Sequence, residues 1–233
     1  MKTANADIRK TVTPAVESHL GFIYLMAVEG QPVIGARLAE SLHVSRPSVT
    51  STLKRMVRDG FVKFNERKEI LLTLKGQALA EYLQRRHCVI ERWLVDDLGL
   101  DWASSDAQAH QLEHAMSDQV AELLNKRMGS PSTCPHGNPI PGNVKSVVAV
   151  NEKFVPLSNL RVGERAIVMR VSEYDQDVAQ LLNYLGGRGL SPGVKLTVVE
   201  IEPFEESLKL KVGNQIVTTS RKVANFVWVR KAE

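Results

Sequence analysis

A nine-residue stretch, from Asp106 to His114, concentrates side chains that bind divalent cations. If the stretch is helical, with a cap near Ser104, its acidic and histidine residues fall at i, i+4, i+7 and i+8 and share one face. Imidazole nitrogens and carboxylate oxygens are common ligands of transition metals. The same residue types are frequent on solvated helix faces, so the spacing alone leaves a surface role open. The residues are Asp106, His110, Glu113 and His114.

Two further pairs of metal-competent residues lie outside this stretch. His87 and Glu91 are one helical turn apart and would add a nitrogen and an oxygen ligand nearby. Cys134 and His136 lie close together in a proline-rich segment. Two residues are only a fragment of a metal site, so the role of this second pair stays open.

The first third of the chain has the element order of a winged helix-turn-helix domain. Apolar periodicity and capping residues predict helices at about 14–28, 34–42 and 45–59. Two β-prone runs follow at 61–64 and 70–73, joined by a charged turn. Three helices followed by a two-stranded ribbon are typical of this DNA-binding fold.

The third predicted helix has the composition of a recognition helix. Small hydroxylated residues at its start let the backbone approach a duplex and bond phosphate oxygens or base edges. Between His43 and Lys68 there are seven basic residues and two acidic ones, a balance that suits phosphate contact. A core stripe with a solvated basic face would explain each residue singly, but the order of elements favours DNA binding. The candidate DNA contacts are Ser45, Arg46, Pro47, Ser48, Thr50, Ser51, Arg55 and Arg67.

Changes in composition divide the chain into domains, the first of which is the winged helix at residues 1–74. Residues 75–142 predict a helical metal-binding domain with surplus apolar surface, which indicates a homodimer that presents two recognition helices to an inverted repeat. Residues 130–146 are rich in proline and glycine and indicate a linker. Residues 147–233 carry short alternating strands and one helix at about 177–185, which predict a small closed β-barrel. The predicted fold class is α+β and multidomain.

The composition and charge of the chain indicate which classes of protein it can belong to. The 233 residues are 43% hydrophobic and 24% charged, which suits packed cores and gives no sign of disorder. The net charge of +4 is uneven, because residues 1–86 carry +6 and residues 87–130 carry −5. The sequence has no run of 18 apolar residues, no signal peptide and no CxxC pair. These features predict a cytoplasmic protein without a membrane partner.

Short motifs recur in a specific order along nearly the whole chain. They are Ser45-x-Pro47-Ser48-Val49, Arg55-Met56-x-x-Asp59-Gly60, Leu72-Thr73-x-x-Gly76, His87-x-x-x-Glu91-Arg92, Glu113-His114-x-Met116-Ser117-Asp118 and Gly137-Asn138-Pro139-Ile140-Pro141-Gly142. In this order they resemble the diphtheria-toxin-repressor family of metal-dependent transcription repressors. The resemblance implies an SH3-like C-terminal domain and a homodimer that binds a double-stranded operator when Fe(II), Mn(II) or a similar ion is bound. Its expected role is repression of metal-uptake genes.

The resemblance also implies which residues bind metal, although the family's ligands carry over unevenly. The family's ancillary site matches His87, Glu91, Glu173 and Gln176, while Asp106 stands where iron-responsive members have a histidine. These residues imply that the C-terminal domain reaches back to the helical domain.

The family's primary site matches less completely. A histidine, His110, replaces a family Cys or Glu, and Ser18 falls where the first helix normally supplies Met or Asp. Whether Ser18 or one of its neighbours, Glu17 and His19, completes the site stays open. Such a histidine-rich set leaves Zn(II) and Co(II) possible beside Fe(II) and Mn(II). The matching residues are Glu113 and His114.

Two other functions compete with this interpretation. One is a winged-helix regulator that responds to an organic ligand or to no ligand, with the histidines merely solvated. The other is a metal-dependent hydrolase. The sequence contains no HExxH motif, no glycine-rich phosphate loop and no nucleophile with a plausible base, so we expect no enzymatic activity.

Overall fold

Three helices and a β-hairpin form the first part of the structure, a computed structural model that describes residues 12–174, 177–202 and 204–232. The hairpin is antiparallel, with Val62 opposite Leu72. The elements are α1 (Pro14–Val28), α2 (Gly35–Ser41), α3 (Arg46–Arg58), β1 (Val62–Phe64) and β2 (Ile70–Leu72). The predicted winged helix-turn-helix is confirmed.

Local chemistry explains where the recognition helix begins and how the hairpin is held. Ser45 caps α3 by accepting a hydrogen bond from the Ser48 amide at 3.3 Å, and Pro47 fits the first turn because its missing N–H has no helical partner there. After the hairpin, the chain passes so close to itself that a Cβ at Gly76 would lie 2.0 Å from the Phe61 carbonyl oxygen. Only glycine therefore fits at this contact between the hairpin and the next helix.

The second part consists of the helices α4 (Leu74–Asp96), α5 (Trp102–Ala115) and α6 (Asp118–Arg127). Helix α5 begins earlier than the predicted cap near Ser104, because Asp101 caps it by accepting from the Ser104 amide at 2.9 Å. In the part of the chain that is described, no helix is long and apolar enough to cross a membrane.

A buried arginine closes the C-terminal end of α5. The Arg86 guanidinium donates to the Glu113 carbonyl oxygen at 3.0 and 3.2 Å and also to the Met116 carbonyl. It pairs with the carboxylate of Asp118 at the start of α6. Since carbonyls at a helix end lack helical partners, this cation fixes the turn that carries two candidate ligands, Glu113 and His114.

The proline-rich segment at residues 130–146 is not the free linker that its composition predicts. Its backbone pairs with the third part of the chain: the Val171 amide donates to the His136 carbonyl at 2.9 Å, and the Asn138 side-chain amide donates to the Val171 carbonyl at 2.8 Å. A Cβ at Gly137 would lie 2.1 Å from the Met169 carbonyl oxygen. These contacts make the segment a packed connection between helices and sheet.

An antiparallel sheet with short helices forms the third part. Its elements are α7 (Val147–Asn151), β3 (Val155–Pro156), β4 (Arg165–Val171), α8 (Val178–Gly186), β5 (Lys195–Glu202), β6 (Ser207–Val212), β7 (Gln215–Ser220), α9 (Arg221–Ala224) and β8 (Val227–Lys231). The hydrogen-bonded order of the strands is β3-β8-β4-β5-β6-β7, with bulges between Val168 and Arg170 and between Val198 and Glu200. The predicted α+β class with an SH3-like C-terminal domain is confirmed.

One buried ion pair joins the third part to the first. The Arg170 side chain, on β4, is 1% exposed and forms two hydrogen bonds with Glu29 at the end of α1, of which Nη2 to Oε2 measures 2.9 Å. The guanidinium also stacks on the Trp228 ring at 4.3 Å. A buried bidentate pair of this kind ties the sheet to the DNA-binding helices, because separating them would leave both charges unpaired.

Replacing Glu29 with glutamine should lower the free energy of unfolding by about 3–5 kcal/mol, because Arg170 would remain buried without a countercharge. Urea denaturation followed by circular dichroism measures the change. Glu200→Gln is the matched control, since it breaks an exposed pair with Lys209 and should leave the midpoint near that of the wild type. Equal midpoints for the two variants would contradict the role assigned to the buried pair.

Candidate metal centre and DNA-binding surface

Four buried side chains from three separate segments form what we call the inner cluster. They are Glu91, Cys134, His136 and Glu173. Their ligand atoms all lie within 4.8 Å of one another. Helix α4 supplies the first residue, the proline-rich segment the two in the middle, and the chain just after β4 the last. The backbone pairing of residues 136 and 171 brings these elements together.

The geometry of the inner cluster suits a cation. His136 Nδ1 lies 2.5 Å from Glu173 Oε1 and 3.4 Å from Glu91 Oε1, and Cys134 Sγ lies 3.8 Å from Glu173 Oε1. Among the described residues, both carboxylate oxygens of Glu91 are buried without a hydrogen bond. Unsatisfied buried carboxylate oxygens are costly, and a divalent ion coordinated there would remove that cost.

The pKa shifts of the inner cluster also indicate that it favours a bound cation. Burial raises the pKa of the Glu91 carboxyl. Burial by itself would lower the pKa of His136, but Glu91 and Glu173 outweigh it and hold that pKa well above its usual range. The two carboxyls thus favour positive charge between them, and either an imidazolium or a metal ion can supply it.

His87 connects the inner cluster to a second group of ligands. Its Nε2 lies 3.4 Å from both Glu91 Oε1 and Asp106 Oδ1, while its Nδ1 lies 2.9 Å from Glu113 Oε2. Burial alone would lower the pKa of His87, but these carboxylates raise it well above the usual range. The imidazole is therefore shared between two groups of acids.

The second group, which we call the outer cluster, consists of His110, Glu113 and His114 on the last turns of α5. Glu113 Oε1 lies 3.2 Å from His110 Nδ1 and 3.6 Å from His114 Nε2. Burial by itself would raise the pKa of Glu113, but hydrogen bonds from His110 and His87 bring it down to about 2. This carboxylate is therefore ionised and faces several imidazoles, as a metal ligand requires.

Helix α1 reaches the outer cluster through Glu17. Its Oε2 lies 2.7 Å from His114 Nδ1, whereas the Ser18 hydroxyl donates to the Pro14 carbonyl at 3.1 Å and His19 Nδ1 lies 2.6 Å from the Ala15 carbonyl. A cavity of about 500 Å3 opens between α1, α4 and α5 and is lined by residues of both helical parts. Of the three neighbouring positions that the sequence leaves open, the structure brings Glu17 to the candidate ligands.

The predicted ligands are therefore largely brought together. His87, Glu91, Asp106 and Glu173 meet at or beside the inner cluster, and His110 and His114 each approach Glu113 in the outer one. Gln176 lies outside the described residues. The sequence shows Cys134 and His136 as a pair but does not reveal their partners, because Glu91 and Glu173 are distant in sequence.

The predicted DNA-binding residues lie at the start of α3, on its last turn and on the hairpin turn. All of them except Arg55 are exposed. Arg55 is half-buried, and its Nε is buried without a hydrogen bond among the described residues. The other seven are therefore available to a duplex, while the Arg55 side chain is partly turned into the protein.

Three family models match successive parts of the chain. Residues 11–70 match an iron-dependent repressor N-terminal DNA-binding domain, and residues 73–142 match an iron-dependent repressor metal-binding and dimerisation domain. Residues 155–231 match a FeoA domain. Together the matches follow the three parts of the structure.

Curated relatives match over almost the full length. The chain is 36% identical to the iron-dependent repressor IdeR of Mycobacterium leprae, over 92% of this chain and 96% of that protein. It is 29% identical to the diphtheria toxin repressor of Corynebacterium jeikeium, over 95% and 99% of the two chains.

Solved structures of metal regulators have the same fold. The manganese regulator SloR is 28% identical with a TM-score of 0.78, covering 95% of this chain and all of that one. ScaR with bound Zn2+ is 26% identical with a TM-score of 0.77, covering 93% and 99%. IdeR of T. acidophilum is 25% identical with a TM-score of 0.76, covering 93% and 97%.

Cobalt(II) should report directly on the inner cluster. Because Cys134 offers a thiolate, Co(II) should give a sulfur-to-metal charge-transfer absorption in the wild type that Cys134→Ser abolishes. Cys88→Ser is the matched control, since Cys88 is an equally buried thiol outside the four-residue cluster and its loss should leave the band in place. A wild-type spectrum without this band would contradict coordination by Cys134.

Arg46→Ala should weaken DNA binding to all sequences and reduce the slope of log K against log salt by about one, because it removes one phosphate contact. Fluorescence anisotropy over a range of salt concentrations measures the slope. Arg188→Ala, which removes an exposed arginine stacked on Tyr184 in the C-terminal part, should leave it unchanged. An unchanged slope for Arg46→Ala would count against phosphate contact.

Proposed function

The chain belongs to the iron-dependent repressor family and is a metal-dependent DNA-binding repressor, and we propose that the inner and outer clusters are the sites where metal controls it. Repressors of this family bind DNA as homodimers, which suits the two-fold arrangement expected for an inverted-repeat operator. The observation that carries the proposal is the convergence of the four buried side chains of the inner cluster from separate segments of the chain, with the outer cluster beside them.

The position of the clusters supports a mechanical role for the metal. The outer cluster faces α1 through the contact between Glu17 and His114, and the inner cluster joins α4 to the chain that follows β4. A cation bound at these junctions would fix the winged helix relative to the helical domain. It would thereby set the spacing of the two recognition helices in the dimer, which must match half-sites about one DNA turn apart.

The two clusters offer different donor sets. The outer one has two imidazoles and a carboxylate, whereas the inner one has one imidazole, two carboxylates and a thiol. Among divalent ions, Fe(II) and Mn(II) are the proposed activators, and Zn(II) and Co(II) are the competitors that a thiol and several imidazoles would favour by intrinsic affinity. Cellular availability would then decide which ion acts.

The proposed biological role is repression of metal-uptake genes, exerted on operator DNA in the cytoplasm. We propose no enzymatic activity. A metal hydrolase would need an open coordination position and a base beside a substrate cleft, whereas the inner cluster is buried on all sides. A regulator that responds to an organic ligand is the alternative, and the family match to metal-binding repressor domains disfavours it.

Metal should strengthen operator binding by the purified protein at least tenfold, since allosteric couplings are typically about 1–3 kcal/mol per ligand. The measurement is fluorescence anisotropy on a duplex selected from random sequence by the metal-loaded protein, with Mn(II), Fe(II), Co(II), Ni(II) or Zn(II) against chelator. Glu113→Gln should remove most of the response, and Glu152→Gln, an exposed acid outside both clusters, should retain it. Equal affinity with metal and with chelator would refute metal control.

A further inference from the structure

Helix α1 faces the outer cluster, but position 18, where the family has a metal ligand, is a serine. Ser18 is the residue at which the family's first helix supplies Met or Asp, and its hydroxyl is engaged with the Pro14 carbonyl of its own helix at 3.1 Å. A neutral serine hydroxyl is also a weaker donor to a divalent ion than a carboxylate or a thioether. Another residue must therefore connect α1 to the metal.

Glu17 is placed to make that connection. It is 7% exposed, and its Oε2 lies 2.7 Å from Nδ1 of His114. A short contact between a buried carboxylate and an imidazole nitrogen fixes the tautomer, because Nδ1 must carry the proton that it donates. In the neutral form of the ring, Nε2 is then the nitrogen whose lone pair would bind a metal.

The direction of His114 Nε2 completes the arrangement. It lies 3.6 Å from Glu113 Oε1, the same oxygen that lies 3.2 Å from His110 Nδ1. One nitrogen of the His114 ring thus faces α1, and the other faces Glu113, the carboxylate that His110 also approaches. Carboxylates that accept from a ligating histidine in this way orient the ring and increase its basicity.

We propose that Glu17 is the positioning residue that links the DNA-binding domain to the outer metal site, acting through His114 rather than as a ligand. This inference rests on the proposed function of the outer cluster. In this arrangement α1 is connected to the outer cluster by the hydrogen bond between Glu17 and His114 and not by a metal ligand at position 18. Movement of α1 relative to α5 then changes the orientation of His114, and metal bound to His114 in turn holds α1 in place.

The test compares Glu17→Gln with Ser18→Ala by calorimetric titration with Mn(II) and Co(II). Both are made in a Cys134→Ser background, which weakens the inner cluster, and the isotherm is fitted with two sites, of which only the outer one should respond to the change at Glu17. Glu17→Gln should weaken metal binding about 10–100-fold, the usual effect of losing a carboxylate behind a ligating histidine. Ser18→Ala should bind within about twofold of its parent. Unchanged affinity in Glu17→Gln, or an equal loss in Ser18→Ala, would overturn the proposal.

The Co(II) d–d spectrum separates a positioning role from direct coordination. If Glu17 only orients His114, saturated Glu17→Gln should give the parent spectrum at higher metal concentration, whereas a changed spectrum would mean that Glu17 is itself a ligand and would overturn the proposal. Glu17→Asp provides a second variant if the glutamine variant unfolds, because it keeps the charge but shortens the reach to Nδ1, and the same loss of affinity is expected.

Operator binding distinguishes this inference from the proposed function. Glu17→Gln saturated with Mn(II) should recover less of the metal-dependent gain in DNA affinity than Ser18→Ala does. If the parent protein shows no gain with metal, the proposed function fails, yet the loss of metal affinity in Glu17→Gln would still establish the link to His114. A full gain in saturated Glu17→Gln would overturn the coupling through this residue.

Discussion

A set of carboxylates and imidazoles is packed away from water where the three parts of the chain meet, and the rest of the structure depends on how their charge is balanced. Glu91 is fully buried, and Glu113 and Glu173 are nearly so. Acids in such an environment need positive charge close by, since desolvation penalises each ionised group. Protonated histidines can supply this positive charge, and so can a metal ion bound by neutral histidines. Protons and metal ions would therefore compete for the same side chains.

The first helix is held at both of its ends by carboxylates. Near its start Glu17 contacts His114, and just after its last residue Glu29 pairs with the buried Arg170. The first contact depends on a ligand of the outer cluster, whereas the second joins the helix to β4 independently of any metal. The C-terminal part therefore holds one end of α1 in place. Metal binding at the outer cluster would then move or restrain the other end of α1 and with it the DNA-binding domain.

His87 makes the two clusters interdependent. It approaches Glu91 and Asp106 with one nitrogen and Glu113 with the other. Coordination of a metal by His87 Nε2 would alter the contact of Nδ1 with Glu113 in the outer cluster, and the reverse would also hold. By thermodynamic reciprocity, occupancy of either cluster would then affect the affinity of the other.

The sequence by itself determined the helices of the winged helix and most of the candidate metal ligands. Helical periodicity placed Asp106, His110 and Glu113 on one face of a helix, and the order of helices and β-prone runs predicted the winged helix, because both signals are local. Tertiary structure decided the rest: it turned the proline-rich segment inward, brought Cys134 and His136 to Glu91, and placed Glu17 rather than Ser18 in contact with His114. These outcomes depend on backbone pairing between residues 136 and 171 and on how α1 is rotated against α5. Neither is encoded in the spacing of residues along one element, since contacts between distant segments arise only when the whole chain packs.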